Sequence, residues 1–291
     1  MIVTNGQPAN YNNYSNPLDT SATWDECVDY CYNLPACVAV YDNNCQMFQI
    51  GQIQTATRNV EEVFAFKIYV DNSTDTCPVD DSGTVGGYTS TNTSYQNYSV
   101  SYSDPTWTFS TATVLNCPTN FTLFQRAKGP WCMQVIQHYA CCNRTVAAIM
   151  CDDSFSSSML SGIENQAEYD WISALAIPIY QNITVTAVGG VKYNFTGIWL
   201  DGTRISSCIN VTTSPCNSIS GFQFTDPTLT TPPQGYTWLP GEPDGTLAPA
   251  NMLALRLNSE TIFGIDDTPD YPLAGSNTGC WKGYVCGVRP T

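Results

Sequence analysis

The chain has 291 residues, of which only 12% are charged and 14 are cysteine. This length suits one large domain or two of ordinary size. Lys and Arg number 10 against 25 Asp and Glu, which gives a net charge of −15. Because polyanions repel such a chain, the charge argues against nucleic acid and anionic membrane surfaces as partners. We expect no membrane insertion either, since no apolar run approaches the ~20 residues of a membrane span.

Cysteine usage and sequons together predict a secreted, extracellular glycoprotein. The cysteine number is even and no Cys-x-x-Cys pair occurs, while His138 is the only histidine, so disulfides are favoured over a zinc site. Nine Asn-x-Ser/Thr sequons predict N-glycosylation. They lie at Asn13, Asn72, Asn92, Asn97, Asn120, Asn143, Asn182, Asn194 and Asn210. The start of the chain lacks a signal-peptide pattern, so we expect a removed leader or a fragment.

Composition predicts three parts. Residues 1–70 are cysteine-rich, residues 71–116 are dominated by Ser, Thr, Asn, Tyr, Asp and Gly, and residues 117–291 hold most of the tryptophans. The stretch 80–102 has almost no aliphatic residues, so it should not bury enough apolar area to offset chain entropy. We therefore expect 71–116 to be a glycosylated linker, with a tyrosine-rich binding surface as the alternative.

The first part predicts a small helix-and-hairpin domain. Apolar side chains recur at helical spacing over residues 24–31, behind a cap at Thr23 or Ser21. Short strands at 37–41 and 45–48 follow. Two of the cysteines lie one helical turn apart, so each can reach a different strand, and the sequence alone allows three pairings.

This first part resembles the PAN-like (CW) domain of nematode secreted proteins. The residues that carry the resemblance are Trp24, Asp25, Cys27, Cys31, Cys37, Cys45 and Phe48. The resemblance implies the nested pairing Cys27–Cys45 and Cys31–Cys37. It also implies a module that binds protein or sugar without catalysis.

The third part begins with a predicted hairpin. Apolar and polar residues alternate on both sides of a turn at 128–130, and a Cys117–Cys132 bond can close the hairpin ends. A capping box at 165–168 predicts the start of a helix. Buried strands are predicted at 198–202, 252–257 and 283–286.

Residues 117–291 resemble the long-form C-type lectin-like domain in the variety found in nematode secreted lectins. The matching motifs are Cys117-Pro, Trp131-Cys132, Cys151, 159–166, Trp171-Ile172, 198–202, Trp238, 241–244, 265–267, Cys280 and 283–286. The implied fold class is α+β, a small disulfide-bonded PAN-like domain followed by a long-form C-type lectin-like domain. The family frame implies a Cys151–Cys286 bond.

Neither resemblance assigns a disulfide partner to the other six cysteines. They are Cys77, Cys141, Cys142, Cys208, Cys216 and Cys280. The family strand Cys-x-Ala-Leu is Met-Leu-Ala-Leu at 252–255 here, so Cys280 lacks its usual partner. We expect it to pair with Cys208 or Cys216, or to stay free.

A calcium site is implied by the same resemblance. In sugar-binding members of the family, calcium lies between a carboxylate loop and acidic residues near the end of the domain, where sugar hydroxyls complete its oxygen shell. The implied calcium and ligand-binding residues are Glu242, Asp244, Asp266 and Asp267, with Pro243 in the cis form. The alternative is that Glu242 and Asp244 shape a loop and the other two form a solvated turn.

The expected function is therefore binding of carbohydrate or a glycoprotein ligand through a calcium-dependent site, as in pathogen or surface recognition in innate immunity. A calcium-independent protein-binding or extracellular-matrix module is the alternative. No enzyme activity is expected, because His138 stands in no motif and the adjacent Asp152 and Asp153 should point apart. No oligomeric state is predicted.

Overall fold

The computed structural model of the chain describes residues 1–18, 21–69, 83–185, 192–245, 251–274 and 278–291. The chain divides into two compact units: unit 1 comprises Met1–Asn116 with Thr291, and unit 2 comprises Cys117–Pro290. Over the described ranges, no helix combines the length and apolar character that a membrane crossing requires. Asn72 and Cys77 lie outside the described residues.

The described residues of unit 1 form an eight-stranded sheet and one α-helix. The strands are β1 (Ile2–Tyr11), β2 (Cys37–Tyr41), β3 (Gln46–Gln49), β4 (Ile53–Phe66), β5 (Gly83–Ser90), β6 (Ser94–Ser103), β7 (Thr106–Thr111) and β8 (Leu115–Asn116). Six of them follow the order β3-β2-β4-β7-β6-β5, while β1 pairs with β4 and β8 pairs with β6. The helix is α1 (Trp24–Asn33).

A capping box starts α1 and two disulfides attach it to the hairpin beside it. The side chain of Thr23 accepts from the Glu26 backbone N–H, and the Glu26 carboxylate accepts from the Thr23 backbone N–H. Thr23, not Ser21, is therefore the cap. The structure forms both bonds of the nested pairing, Cys27–Cys45 and Cys31–Cys37.

Residues 83–116 are not a linker, contrary to the prediction from composition. They form β5 to β8, and β7 pairs antiparallel with β4 through Thr55 and Thr108. Tyr98, Trp107 and Phe109 are buried in the same core as the strands of the first 66 residues. Here aromatic rings supply the buried apolar area that aliphatic residues usually give. The linker prediction counted only aliphatic residues. Residues 70–82 of the predicted linker lie outside the described residues.

Over the ranges that the structure describes, unit 2 has a nine-stranded sheet and two α-helices. Its strands are β9 (Thr122–Arg126), β10 (Gly129–Gln137), β11 (Met159–Leu160), β12 (Phe195–Arg204), β13 (Phe222–Gln223), β14 (Met252–Leu257), β15 (Phe263–Thr268), β16 (Leu273–Ala274) and β17 (Gly279–Val288). The main order is β15-β14-β12-β17-β10-β9, in which only β12 and β17 run parallel. The helices are α2 (Arg144–Ser154) and α3 (Gln166–Val185). The regular structure described is mostly β-sheet with few helices.

Four disulfides join segments of unit 2. Two are those that the sequence implied, Cys117–Cys132 and Cys151–Cys286. Cys208 pairs with Cys216, so neither is the partner of Cys280, which pairs instead with Cys141. The chain leaving β10 follows β17, with His138 N–H donating to Lys282 O at 2.8 Å, and this brings Cys141 beside Cys280. Cys142 is a buried free thiol.

A buried ion network ties the first hairpin of unit 2 to α3. The Arg126 guanidinium donates to both carboxylate oxygens of Glu168 at 2.8 and 2.7 Å, and to Asp226 at 2.8 Å. All three side chains are 0% exposed. A predicted feature lies next to this network: the Asn165 side chain accepts from Glu168 N–H at 3.1 Å, which places the helix start where the capping pattern put it.

Eight of the nine sequons fall in the described residues. Seven asparagines are exposed: Asn13, Asn92, Asn97, Asn120, Asn182, Asn194 and Asn210. Asn143 is half-buried and caps α2, its side chain accepting from Val146 N–H at 2.9 Å. Seven sites thus have the exposure that an attached glycan requires, and glycosylation itself stays a prediction.

Candidate functional site

The segment that carries Glu242 and Asp244 lies against β15. Leu239 N–H donates to Ile265 O at 3.0 Å, and Ile265 N–H donates to Thr237 O at 2.8 Å. A Cβ on Gly264 would lie 2.4 Å from the Leu239 nitrogen, so only glycine permits this approach. The contact fixes the following turn beside the acidic end of β15.

A tight turn then brings two carboxylates together. Gly241 has φ +98°, and the Glu242–Pro243 peptide bond is cis, as predicted. Asp244 N–H donates to Glu242 Oε2 at 3.0 Å and to Asp267 Oδ1 at 2.9 Å. Gly245 N–H donates to Asp267 Oδ2 at 3.2 Å. The turn is therefore hydrogen-bonded to β15 through Asp267.

Three of the four predicted site residues converge. Glu242, Asp244 and Asp267 each offer a carboxylate oxygen, and these oxygens all lie within 4.8 Å of one another. Asp266 is not in this group. It pairs with Arg256, with 2.9 Å between Oδ2 and Nη1, because consecutive side chains on a strand point to opposite faces.

Arg204, at the end of β12, contacts the same cluster. Its Nη2 pairs with Asp267 Oδ2, and its Nη1 donates to Cys216 O at 2.9 Å. The guanidinium carbon also lies 4.5 Å from the ring centroid of Phe222. Sequence reasoning missed this residue, whose only signal was a charge just beyond a strand predicted to be buried.

Two different family models match the chain, one in each unit. A PAN-like domain model matches residues 1–68, and the model of C-type lectin domain-containing protein 141/158 matches residues 117–253. The chain joins a PAN-like domain to a C-type lectin-like domain. The second match includes Glu242 and Asp244 but ends before Asp266 and Asp267.

One solved structure is weakly similar to the chain. The chain is 14% identical to ovocleidin-17, a major protein of the eggshell calcified layer of Gallus gallus, over 59% of this chain and 97% of that chain, with a TM-score of 0.28. A comparison with curated proteins gives no match.

Burial and mutual repulsion raise the pKa values of the carboxylates at this site. Burial raises the pKa of Glu242 to about 7, and the nearby charges of Asp266 and Asp244 act in the same direction. Burial also raises the pKa of Asp266 to about 6, against the opposing effect of Arg256. Asp267 follows them, since burial raises its pKa although Arg204 is its partner. These buried, crowded carboxylates thus take up their negative charge less readily than exposed ones do.

Without a bound cation, we expect the lectin-like domain to lose stability as pH rises. The folded domain retains a proton on Glu242 between its usual pKa of 4.5 and about 7, where the unfolded chain has lost it. Folding therefore takes up a proton in this window, and the unfolding free energy falls as pH increases through it. Thermal unfolding in chelator should show this decline. Glu242→Gln should make it shallower, most clearly between about pH 6 and 7, because Asp266, with a pKa of about 6, still contributes below that range. An unchanged pH profile in Glu242→Gln would contradict the assignment, and Asp152→Asn, exposed on α2, is the matched control.

The donor set fits a hard divalent cation. All three converging groups are carboxylates, and calcium takes oxygen ligands of this kind. Glu242, Asp244 and Asp267 would hold the ion, with Asp267 shared with Arg204. Asp266 would act through its charge on Glu242 and not as a member of the converging group.

The residues weighed for catalysis contact local backbone, a neighbouring ring or solvent. His138 Nδ1 lies 3.0 Å from the carbonyl oxygen of Ala140, and its ring centroid lies 4.3 Å from that of Tyr139. Asp152 and Asp153 are exposed on α2. PAN-like and C-type lectin-like domains are typically non-enzymatic.

Proposed function

We propose that this protein is a secreted glycoprotein that binds carbohydrate through its C-type lectin-like domain, with calcium held by Glu242, Asp244 and Asp267. The observation that carries the proposal is the convergence of these three carboxylates on a cis-proline turn. The raised pKa of Glu242 supports it, because crowded carboxylates are stabilised by a cation.

The same side chains suit the recognition of sugar hydroxyls. Calcium takes six to eight oxygen ligands, more than three carboxylates provide, so positions remain for ligand oxygens. Carboxylates accept hydrogen bonds from hydroxyl groups, and charge-assisted bonds of this kind are the stronger ones. Glu242 and Asp244 would orient the sugar, while the hydrogen bonds from the turn to Asp267 hold the turn in place.

Secretion is supported by the disulfides and the sequons. Six disulfides occur in the described residues, and such bonds persist in oxidising compartments. Seven exposed sequons are placed where glycans could attach. We propose an extracellular location on these two grounds.

One contact favours a second candidate, a calcium-independent protein-binding or extracellular-matrix module. Arg204 provides a positive partner for Asp267 within the chain itself. In this case Glu242 and Asp244 would shape the turn, and recognition would use the surface around it.

Thermal unfolding with and without calcium tests the proposal. At a calcium concentration 100 times Kd, the unfolding free energy should rise by ~2.7 kcal/mol relative to chelator. The double variant Glu242→Gln/Asp244→Asn should lose this gain while remaining folded, because the substitutions remove repulsion and keep side-chain volume. Asp152→Asn should retain it. A glycan array probed in calcium should then show binding that the double variant lacks.

The outcomes separate the two candidates. No stabilisation by calcium contradicts the proposed site. Stabilisation without binding to any glycan supports the ion and contradicts sugar recognition. Equal glycan binding in calcium and in chelator contradicts the proposed calcium requirement. Neither stabilisation by calcium nor binding to any glycan favours the second candidate.

A further inference from the structure

Three aromatic rings meet where β1 ends in unit 1. The ring centroids of Tyr11 and Tyr14 lie 5.9 Å apart, and they lie 5.5 and 6.3 Å from the centroid of Phe48. Phe48 is buried on β3, whereas Tyr11 is 42% exposed and Tyr14 is 40% exposed. Two tyrosine rings, supported by a buried phenylalanine, therefore remain open to solvent. We call these two rings the tyrosine patch.

A sequon lies within the tyrosine patch. It is Asn13-Tyr14-Ser15, and Tyr11 precedes the asparagine by two residues. The Asn13 side chain is exposed, and its Oδ1 accepts from Tyr14 N–H at 2.9 Å. An N-glycan is attached to the other amide atom, Nδ2. The first sugar of a glycan on Asn13 would therefore start beside both rings.

The backbone on both sides of this sequon is fixed. Asn12 N–H donates to Gln52 O at 2.8 Å. Ser15 and Met47 exchange two backbone hydrogen bonds, of 2.9 and 2.8 Å. Only two residues lie between these anchoring bonds, so the attachment point is held close to the rings. Such preorganisation lowers the entropy cost of a contact.

We propose that a glycan on Asn13 packs the C–H face of its first N-acetylglucosamine against Tyr11 and Tyr14, and that this contact stabilises the PAN-like domain. The inference rests on the proposed glycosylation and is independent of the calcium site. The sequon selects the sugar, because N-acetylglucosamine is the ring joined to asparagine in an N-glycan. This sugar is part of the protein and not a free ligand.

The contact is favourable for two physical reasons. One face of N-acetylglucosamine carries C–H groups, and packing it on a tyrosine ring removes apolar area of both from water. Because the sugar is covalently attached, its effective concentration near the rings is high, so an individually weak contact still forms. An attached glycan would also keep a protein partner away from these rings, so we favour the glycan as the occupant.

Thermal unfolding of the secreted full chain tests the contact, after mass spectrometry has established which sequons are occupied. Pulsed hydrogen exchange of peptides from β1 and β3 reports on unit 1 alone. Asn13→Gln should lower the unfolding midpoint of this unit by ~3–6 °C. Trimming every glycan to its first sugar with an endoglycosidase should preserve this difference. Asn92→Gln is the matched control, because Ser90 stands where Tyr11 precedes Asn13, and it should shift the midpoint by less than ~2 °C.

The tyrosines are tested in a double-mutant cycle with the glycan. In Tyr11→Ser/Tyr14→Ser, adding Asn13→Gln should shift the midpoint by less than ~1 °C, since the glycan has no ring to pack on. Tyr14→Ser alone keeps the closer pair of Tyr11 and Phe48, so it should remain folded, and it should reduce the shift. Tyr30→Ser, which removes an exposed tyrosine on α1, is the control and should retain the full shift.

The outcomes distinguish this proposal from the proposed function. An occupied Asn13 with no midpoint shift in Asn13→Gln overturns the contact, and so does a shift that the tyrosine variants leave unchanged. An unoccupied Asn13 beside occupied sequons elsewhere overturns it as well, while the protein remains a glycoprotein. Occupancy of no sequon contradicts both proposals. Glu242→Gln/Asp244→Asn should not affect the shift, so failure of the calcium site leaves this result intact.

Discussion

Removing both long-range disulfides of the lectin-like domain, Cys141–Cys280 and Cys151–Cys286, is expected to lower its unfolding free energy by ~8 kcal/mol. The sequence separations are 139 and 135. Either bond alone therefore stabilises the fold by ~5 kcal/mol, because it restricts the conformational entropy of the unfolded chain. With one bond in place, the second closes only roughly 16 residues, the two short segments between the cysteines, and adds ~3 kcal/mol. Each single deletion should therefore cost only ~3 kcal/mol.

The effect of the double deletion exceeds the sum of the single ones because each bond shortens the loop that the other closes. Since whole domains have only ~5–15 kcal/mol of stability, the double deletion should leave this domain largely unfolded. Urea unfolding followed by tryptophan fluorescence measures it, as five of the seven tryptophans lie beyond residue 116. Both cysteines of a bond must be replaced together, so that no new thiol is left to mispair.

Deletion of the local Cys208–Cys216 bond is the control. Its sequence separation is 8, so removing it should lower the unfolding free energy by ~2.5 kcal/mol. This loss should simply add to that of either single long-range deletion. Additive effects of the two long-range deletions would contradict the loop-entropy explanation.

Arg126→Leu is expected to destabilise the lectin-like domain by ~3–5 kcal/mol, because it leaves two buried carboxylates without their partner. The Arg126, Glu168 and Asp226 side chains are all 0% exposed. Burial already raises the pKa of Glu168, and Arg126 is the main group that opposes this. The loss of unfolding free energy in Arg126→Leu should become smaller as the pH falls, because protonation of the buried carboxylates removes their unpaired charge.

Two controls accompany Arg126→Leu. Arg289→Leu removes an exposed arginine of the same unit and should change the unfolding free energy by less than ~0.5 kcal/mol. Arg126→Met combined with Glu168→Gln and Asp226→Asn removes all three charges and should recover part of the loss. A triple variant less stable than Arg126→Leu would contradict the role assigned to unpaired charge.

Local patterns predicted local structure well. The cap at Thr23 and the start of α3 after Asn165 depend on side chains within three residues of each other, and both were visible in the sequence. The partner of Cys280 was not, because Cys141 reaches it only through the pairing of β10 with β17. Long-range pairing depends on strand order, which no short motif encodes.

The linker prediction failed for a different physical reason. It counted aliphatic residues, but Tyr98, Trp107 and Phe109 bury enough ring area to form strands on the common sheet. Motif position predicted four carboxylates at one site, and three of them, Glu242, Asp244 and Asp267, lie together. The motif did not show that Asp266 points away from the cluster, toward Arg256, as alternate side chains on a β-strand do. It also gave no sign of Arg204, which contacts the cluster from another strand.

The adjacent cysteines 141 and 142 affect how the domain acquires its native bonds. During oxidation of the unfolded chain, the thiol of Cys280 can join either neighbour. In the folded domain Cys280 is bonded to Cys141. The Cys142 backbone N–H donates to Trp281 O at 2.9 Å, and its carbonyl accepts from the Trp199 indole at 2.8 Å. Burial raises the pKa of Cys142 to about 11. Because thiolate is the attacking species in disulfide exchange, folding suppresses the competing thiol and protects the bond beside it.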